Sequence, residues 1–223
     1  MSSPFRPALF RFLKDLKVNN NRDWFNANKE RYEADVKEPL TQFVLDFGSP
    51  LRKISDEFVA DPRKSVFRIY RDTRFSKNKA PYKTNAALHF RHTRAKDAHT
   101  PGFYLHLEPG NVFAGAGIWR PDTASVTKIR EAIVDDPARW KRILNKKFHD
   151  RFELHGESLK RPPRGFDPDH PLIDDLKRKD FIAVASFTQK EASAADFPKR
   201  YAETCRAAVP LVRFLTEALD LDW

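Results

Sequence analysis

Residues 102–119 read GFYLHLEPGNVFAGAGIW, and this stretch decides the fold that the sequence predicts. On either side of residues 108–111 (EPGN), apolar residues alternate with polar or small ones, which is the pattern of a half-buried β-strand. EPGN combines the Pro, Gly and Asn that favour a tight turn. The stretch therefore predicts two antiparallel strands joined as a hairpin.

Further strands are predicted on both sides of the hairpin, because short segments rich in β-branched or aromatic residues are typical of strands. Three segments have this character: SVFRIYR (65–71), TNAALHFRH (84–92) and FIAVASF (181–187). Helical spacing of apolar residues dominates the beginning and the end of the chain, for example in Phe10, Leu13 and Leu16.

The order of these elements predicts an α+β fold, with a mainly antiparallel β-sheet, helices packed on one face, and helical N- and C-terminal segments. We expect residues 1–60 to be mainly helical, residues 65–120 to form antiparallel strands, and residues 121–223 to be mainly helical with one further strand. All of them are expected to belong to a single domain, residues 1–223, since this length suits one large domain.

Composition argues against several classes of protein. Hydrophobic residues make up 40% of the chain and only seven residues are Gly, which is unlike a disordered or fibrous protein. Basic residues interrupt the opening segment MSSPFRPALFRFLKDL, so neither a signal peptide nor a membrane span is predicted. The single cysteine, Cys205, is interpreted as a structural thiol in a reducing compartment. We therefore expect a cytoplasmic protein without a membrane partner.

Positive charge is concentrated in one segment. The formal net charge of the chain is +10. Residues 63–96 contain eleven Lys or Arg and a single acid, Asp72, and thus carry that whole excess. The 30 bases and 30 acids in the rest of the chain cancel. Charge clustered in this way attracts anions, whereas a scattered excess mainly affects solubility.

Alternation along the predicted strands assigns two faces to the sheet. The apolar face, expected to pack against helices, carries Phe67, Ile69, Ala86, Leu88, Phe90, Phe103, Leu105, Leu107, Val112, Ala114, Ala116 and Ile118. The other face carries Arg68, Tyr70, His89, Arg91, Tyr104, His106, Glu108, Phe113, Gly115, Gly117 and Trp119. An antiparallel sheet can show a polar face to water without any function. This face is nevertheless richer in Tyr, His and Arg than an ordinary solvent-facing strand surface.

Residues 68–83 (RIYRDTRFSKNKAPYK) place arginines and lysines beside aromatic residues. Arginine offers a planar fork that matches carboxylates and phosphates, and lysine acts as a point charge. Asp72 is flanked by arginines and is interpreted as orienting one of them. The candidate ligand-binding residues are Arg68, Arg71, Asp72, Arg74, Lys79, Tyr82, Lys83 and Tyr104. The alternative is structural, with the arginines pairing with acids elsewhere and capping helix ends.

The same stretch resembles the signature of a family of conserved bacterial and fungal proteins with no assigned function, domain of unknown function 2461. That signature consists of an arginine, Arg-Asp, Arg-Phe, an Asn or Asp followed by Lys, and a Tyr. It is matched without departure by Arg68, Arg71, Asp72, Arg74, Phe75, Asn78, Lys79 and Tyr82. Blocks at residues 10–33, 101–119 and 166–181 also look like the family, so the resemblance covers nearly the whole chain. It implies that the basic stretch defines the family, and it implies no activity.

Four functions are compatible with these features. The first is binding of a small anionic ligand, bearing a phosphate or a carboxylate, by the basic stretch. The second is an enzyme acting on such a ligand, with His89 or His106 as general acid or base and Glu108 orienting the histidine. The third is nucleic-acid binding, which the neutral remainder of the chain disfavours. The fourth is a structural module that binds a partner protein.

Cofactors and metals find no support in the sequence. No nucleophile motif, Walker loop or dinucleotide fingerprint is present, so the sequence specifies no cofactor. The set formed by His89, His92, His99 and His106 lacks a recognised ligand spacing. No metal site is therefore predicted.

Overall fold

A computed structural model describes residues 3–94 and 100–223. Lys96, at the end of the predicted basic segment, and His99, one of the four histidines above, lie outside the described residues. Within the described part, one antiparallel sheet has five strands in the order β1-β2-β3-β5-β4. The strands are β1 (Ala86–Arg91), β2 (Gly102–Glu108), β3 (Asn111–Ile118), β4 (Glu153–His155) and β5 (Phe181–Phe187).

Helices precede and follow the first three strands, as the sequence predicts. Before them lie α1 (Pro7–Val18), α2 (Arg22–Ala27), α3 (Lys29–Tyr32), α4 (Glu38–Arg52) and α5 (Pro62–Ser65). After them lie α6 (Thr123–Asp135), α7 (Pro137–Ile143), α8 (Lys146–His149), α9 (Ile173–Leu176), α10 (Gln189–Ala192) and α11 (Phe197–Ala218). No helix within the described residues is both long enough and apolar enough to cross a bilayer.

A π-helical turn, Glu33–Lys37, joins α3 to α4. The backbone N–H of Glu38 donates to the carbonyl of Glu33, five residues back. Pro39 follows in the first turn of α4, where its missing N–H is tolerated. The chain is therefore helical across Pro39, a residue type that breaks helices when it lies in their interior.

The hairpin predicted at residues 102–119 is confirmed. β2 pairs with β3 from Gly102 opposite Gly117 to Glu108 opposite Asn111, so the turn falls within EPGN. Gly110 has φ of 81°, a left-handed conformation that glycine adopts at little cost. The predicted α+β fold with an antiparallel sheet and helical terminal segments is thus correct.

The core lies between the apolar face of the sheet and the helices α1, α4 and α11. Aromatic rings fill much of it: Phe47 of α4 lies 4.8 Å from Phe90 of β1, and 5.0 Å from Tyr201 of α11. Cys205 is buried in the same helix, and burial raises the pKa of its thiol to about 12. This agrees with its interpretation as a structural thiol, because thiolate is disfavoured there.

The predicted strand at residues 65–71 is wrong. Helix α5 ends at Ser65, and the segment then makes only isolated bridges, from Val66 to Leu88 and from Tyr70 to Tyr82. Next to the second bridge stands Pro81, which has no N–H to donate to a ladder. Without regular alternation, Phe67 does not join the apolar face; it stacks beside His89 and remains 37% exposed. The short strand β4 was not predicted.

Candidate functional site

The basic stretch of the sequence forms a closed loop beside the sheet. The N–H of Arg71 donates to the carbonyl of Pro81 at 2.9 Å, and the N–H of Lys83 donates to the carbonyl of Ile69 at 2.7 Å. The chain thus leaves the sheet edge at residue 69 and returns at residue 83. We call residues 69–83 the basic loop, residues 71–80 its tip, and Arg68 with Lys83 its base.

Three of the four cationic groups at the tip, those of Arg71, Arg74 and Lys79, donate to acceptors within the tip, whereas Lys77 is exposed and has no partner among the described residues. The guanidinium of Arg71 donates to the carbonyl of Ala80 at 3.1 Å and lies 3.4 Å from the hydroxyl of Ser76. The ammonium of Lys79 donates to the carbonyl of Thr73 at 3.0 Å. These hydrogen bonds tie the two sides of the loop together, so both side chains have a structural role.

Asp72 and Arg74 form an exposed pair at the same tip. The guanidinium of Arg74 donates to both carboxylate oxygens of Asp72, at 3.0 and 2.7 Å. Hydrogen bonds from Arg74 lower the pKa of Asp72 to about 2. The predicted role of Asp72, orienting an arginine, matches this geometry. The arginine concerned is Arg74, whose planar fork is thereby occupied.

Tyr82 anchors the loop to the helical part of the chain. Its ring is buried and stacks on Phe25 of α2 with centroids 4.1 Å apart. Its backbone N–H and C=O bond the side-chain amide of Asn20, each at 3.0 Å. These contacts leave the Tyr82 ring facing the interior. The structure therefore places five predicted ligand residues (Arg71, Asp72, Arg74, Lys79 and Tyr82) in contacts that hold the loop.

The loop base differs from the tip. The ammonium of Lys83 lies 5.2 Å from the centroid of the Phe67 ring. Burial and the nearby Arg68 both lower the pKa of Lys83. Among the described residues, neither cation forms an ion pair or donates a side-chain hydrogen bond. Two positive charges are thus close together without a carboxylate in direct contact among the described residues, although Asp72 of the tip interacts with Arg68 at longer range. One of the two cations, Lys83, is partly desolvated.

His89 lies next to this base, on the polar face of the sheet. It is 9% exposed, and its ring is parallel to that of Phe67 at 6.3 Å. A Cβ at position 102 would lie 2.7 Å from His89 Nε2, so Gly102 leaves the room that the imidazole occupies. Burial, followed by the charge of Arg91, lowers the pKa of His89 to about 4. The imidazole is therefore neutral at pH 7 and is a weak base.

A hydrogen-bonded series runs along β2 beside His89. The hydroxyl of Tyr104 lies 3.0 Å from His106 Nδ1, and His106 Nε2 lies 3.4 Å from a carboxylate oxygen of Glu108. An ionised carboxylate only accepts, so Nε2 carries the proton and Nδ1 accepts from the Tyr104 hydroxyl. Thr84 donates to the second oxygen of Glu108 at 3.3 Å. Burial lowers the pKa of His106, opposed by Glu108, and burial raises that of Tyr104 to about 12.

The sheet register explains how these side chains meet. His89 pairs with Tyr104, which pairs with Gly115, and His106 pairs with Phe113, whose ring stacks on it at 4.6 Å. We call this region the sheet-face site; its members are Phe67, Arg68, Lys83, His89, Tyr104 and His106. Sequence reasoning missed Phe67, because strand alternation wrongly assigned it to the core. The cation–aromatic pairing with Lys83 joins residues 16 positions apart and left no local signal.

His92 illustrates a histidine with a structural role. Its Nδ1 accepts from the N–H of Arg94 at 3.1 Å, so Nε2 carries the proton and donates to the carbonyl of Asp222 at 2.8 Å. The ring therefore ties the end of β1 to the C-terminal segment. Within residues 3–94 and 100–223, no group of three or more His, Cys, Asp or Glu side chains is arranged to hold a metal ion.

Comparison with known protein families assigns the chain to one of them. Residues 8–214 match the family described as "Conserved hypothetical protein (DUF2461)". The match spans most of the 223 residues, so the chain belongs to this family. No curated protein matches the sequence.

Proposed function

We propose that the protein binds a small anionic ligand, bearing a phosphate or a carboxylate, at the sheet-face site. The observation that supports this most strongly is the pairing of Arg68 with Lys83. Two neighbouring cations without a carboxylate partner among the described residues repel each other, and an anion bound between them would relieve that repulsion. A cytoplasmic location is part of the same proposal.

Four side chains of the site contribute to binding in this proposal. Lys83 offers a partly desolvated ammonium, and Arg68 an exposed guanidinium that can bind two oxygens at once. Neutral His89 donates no hydrogen bond to the described residues, so its ring nitrogens can serve the ligand. The ring of Phe67 supplies an apolar surface between the cations and the sheet. In this proposal the tip of the basic loop shapes the site and does not contact the ligand.

The test is thermal unfolding of the purified protein with a panel of sugar phosphates, nucleotides, carboxylates and short oligonucleotides. A ligand at a hundred times its Kd stabilises a protein by about 2.7 kcal/mol, which raises Tm measurably. We expect one anion class to raise the Tm of the wild type and to lose this effect in Lys83→Met. The matched control is Arg74→Gln, which removes one cation from the loop tip and should respond like the wild type.

Two results would overturn the proposal. One is stabilisation that is equal in the wild type and Lys83→Met. The other is stabilisation by oligonucleotides alone with a steep decrease as salt is added, which would favour a nucleic-acid-binding protein. Because Lys83→Met keeps the aliphatic stem of the side chain, its unliganded Tm should stay near that of the wild type.

A second candidate function is catalysis at the same site, favoured by the series Tyr104–His106–Glu108. Glu108 orients His106 so that Nδ1 faces the Tyr104 hydroxyl, which is the arrangement of a general base acting through an intervening hydroxyl. If the anion identified by the panel is turned over, His106→Gln should abolish turnover while leaving Kd nearly unchanged. Turnover that survives His106→Gln would exclude this assignment.

A further inference from the structure

A pocket lies outside the sheet-face site, where the end of β3 meets the start of α6. Its volume is about 540 Å³, within the range of small-molecule sites. Apolar side chains cover part of its wall, namely those of Trp119, Pro121, Val126 and Leu159. Charged side chains line the rest of it together with Thr123 and Gly156: three are cationic, from Arg120, Arg130 and Lys179, and two are the carboxylates of Glu157 and Asp180. Such a lining suits a ligand with one apolar part and one negative group.

Arg130 is the principal evidence for a negative group. It projects from α6 and is only 8% exposed. Its Nε donates to the carbonyl of Leu176 at 2.6 Å, and one Nη donates to the carbonyl of Arg178 at 3.0 Å. The other Nη donates to no residue that the structure describes. Arg130 also forms no ion pair there, and burial lowers its pKa.

A buried guanidinium without a counterion is unfavourable, because it loses hydration that carbonyl oxygens only partly replace. Arg130 therefore has both a spare donor and an uncompensated charge at the wall of the pocket. An anion placed against it would supply the missing partner. The hydrogen bonds to two carbonyls already fix the direction of the guanidinium, so little ordering is needed on binding.

Trp119 and Arg120 form the rim. Trp119 is 58% exposed, and the guanidinium of Arg120 lies 5.0 Å from the centroid of its ring. Arg120 has φ of 51°, a conformation that costs free energy for a residue other than glycine. Its N–H donates to the carboxylate of Asp180 at 2.7 Å, which holds the backbone in place. The fold thus maintains a strained residue whose side chain borders the pocket.

Two carboxylates also line the pocket, and both have partners. Asp180 accepts from the N–H of Arg120 and from the N–H of Glu157 at 2.9 Å. Glu157 pairs with the ammonium of Lys179 at 3.0 Å. Lys179 is thus the one cation of the lining that forms an ion pair among the described residues. The guanidinium groups of Arg120 and Arg130 form none there, and of these two residues Arg130 is buried and Arg120 is exposed.

We propose that this pocket binds a small organic anion whose carboxylate or phosphate contacts Arg130 and whose planar apolar part lies against Trp119. The carboxylate and the phosphate share the same recognition chemistry, a charge-assisted hydrogen bond from a guanidinium N–H to an anionic oxygen. This site is separate from the sheet-face site, and neither proposal depends on the other.

The test is titration of ¹⁵N-labelled protein with phenyl phosphate and with benzoate, followed through the indole N–H signal of Trp119. Phenol, which has the ring without the charge, and inorganic phosphate, which has the charge without the ring, are the two control ligands. We expect a saturable shift of the Trp119 signal with the aryl anions, and at least about tenfold weaker binding in Arg130→Gln, since a charge-assisted hydrogen bond is lost. Lys83→Met, at the other site, should bind like the wild type.

Arg120→Asn provides a second variant that should fold, because asparagine tolerates positive φ. It should weaken the binding of the aryl anions, because it removes a cationic side chain from the lining, and should leave the effect of phenol unchanged. The proposal is overturned if aryl anions leave the Trp119 signal unshifted. It is also overturned if phenol shifts that signal as strongly as they do, or if binding is unchanged in Arg120→Asn, whether or not Arg130→Gln folds. Loss of binding in Lys83→Met with retention in both arginine variants would assign the anion to the sheet-face site alone.

Discussion

The tip and the base of the basic loop carry the same kinds of side chain and use them differently. At the tip, Arg71, Arg74 and Lys79 all donate to acceptors within the loop. At the base, Arg68 and Lys83 have no such acceptor among the described residues. They approach a face that carries His89, whose ring nitrogens form no hydrogen bond to the part of the chain that the structure describes. Density of positive charge therefore does not locate a ligand site. What matters is whether the fold already supplies each cation with hydrogen-bond acceptors.

The largest expected effect comes from the anchor between the loop and the helices. Tyr82→Ala should lower the free energy of unfolding by about 3–5 kcal/mol, since it removes a buried ring that is stacked on Phe25. Chemical denaturation measures this loss. Tyr82→Phe keeps the ring and should stay close to the wild type. A small loss in Tyr82→Ala would mean that the loop is held mainly by its backbone contacts to Asn20.

The second-largest effect is the dependence of folding stability on pH. The pKa of His89 is about 4 in the folded protein and 6.5 for the free side chain. Between these values the unfolded chain takes up a proton that the folded chain does not, so stability decreases as pH falls from 6.5 to 4. This contributes about 3 kcal/mol, at about 1.4 kcal/mol per pKa unit.

His89→Gln should remove the contribution of His89 to the loss of stability at low pH. A smaller pH dependence should remain in this variant, because the pKa of His106 is also lowered. Denaturation of both proteins at pH 7, 5.5 and 4 measures the difference. Equal pH slopes in the wild type and in His89→Gln would show that His89 is hydrated in the folded protein, against the buried position described here.

A smaller loss is expected at the tip. Arg71→Met removes the hydrogen bonds to Ala80 and Ser76 and keeps the aliphatic stem, so unfolding should become easier by about 1–3 kcal/mol. Anion binding should weaken only as far as the loop loosens. A large loss of anion affinity with full stability would instead place Arg71 in contact with the ligand.

The smallest effect is expected from Arg74→Ala. The pair of Arg74 with Asp72 is exposed, and exposed pairs contribute little to stability because solvent screens them. Denaturation midpoints of Arg74→Ala and the wild type should coincide within error. A clear loss of stability, or of anion binding, would show that the tip and the base act as one unit.

Much of the fold follows from local sequence pattern. The hairpin at residues 102–119 and the alternation of Leu88, Phe90, Leu105 and Leu107 depend on neighbouring residues, and both are confirmed. Residues 65–71 have the composition of a strand, but the segments that face them, around Leu88 and around Pro81 and Tyr82, lie ten or more positions away and form only isolated bridges with them. Local pattern contains no information about that partner.

The candidate site was harder to predict, for the same reason. The sequence locates the cations, but whether each is neutralised depends on how the chain closes around it. Lys83 and Phe67 meet only because the loop returns to the sheet edge. Arg130 sits in an ordinary helical pattern, and its burial arises from contact with carbonyls more than 40 positions along the chain. Both features are products of tertiary structure.

The most direct test of the contrast between tip and base is an NMR titration of the wild-type protein with the anion that raises Tm most in the panel. Side-chain and backbone signals of Lys83, His89 and Tyr104 should shift together and saturate with a single Kd. Signals of residues 72–79 should stay nearly unchanged. Saturable shifts confined to residues 72–79, with Lys83 and His89 unaffected, would contradict the account and place the ligand at the tip.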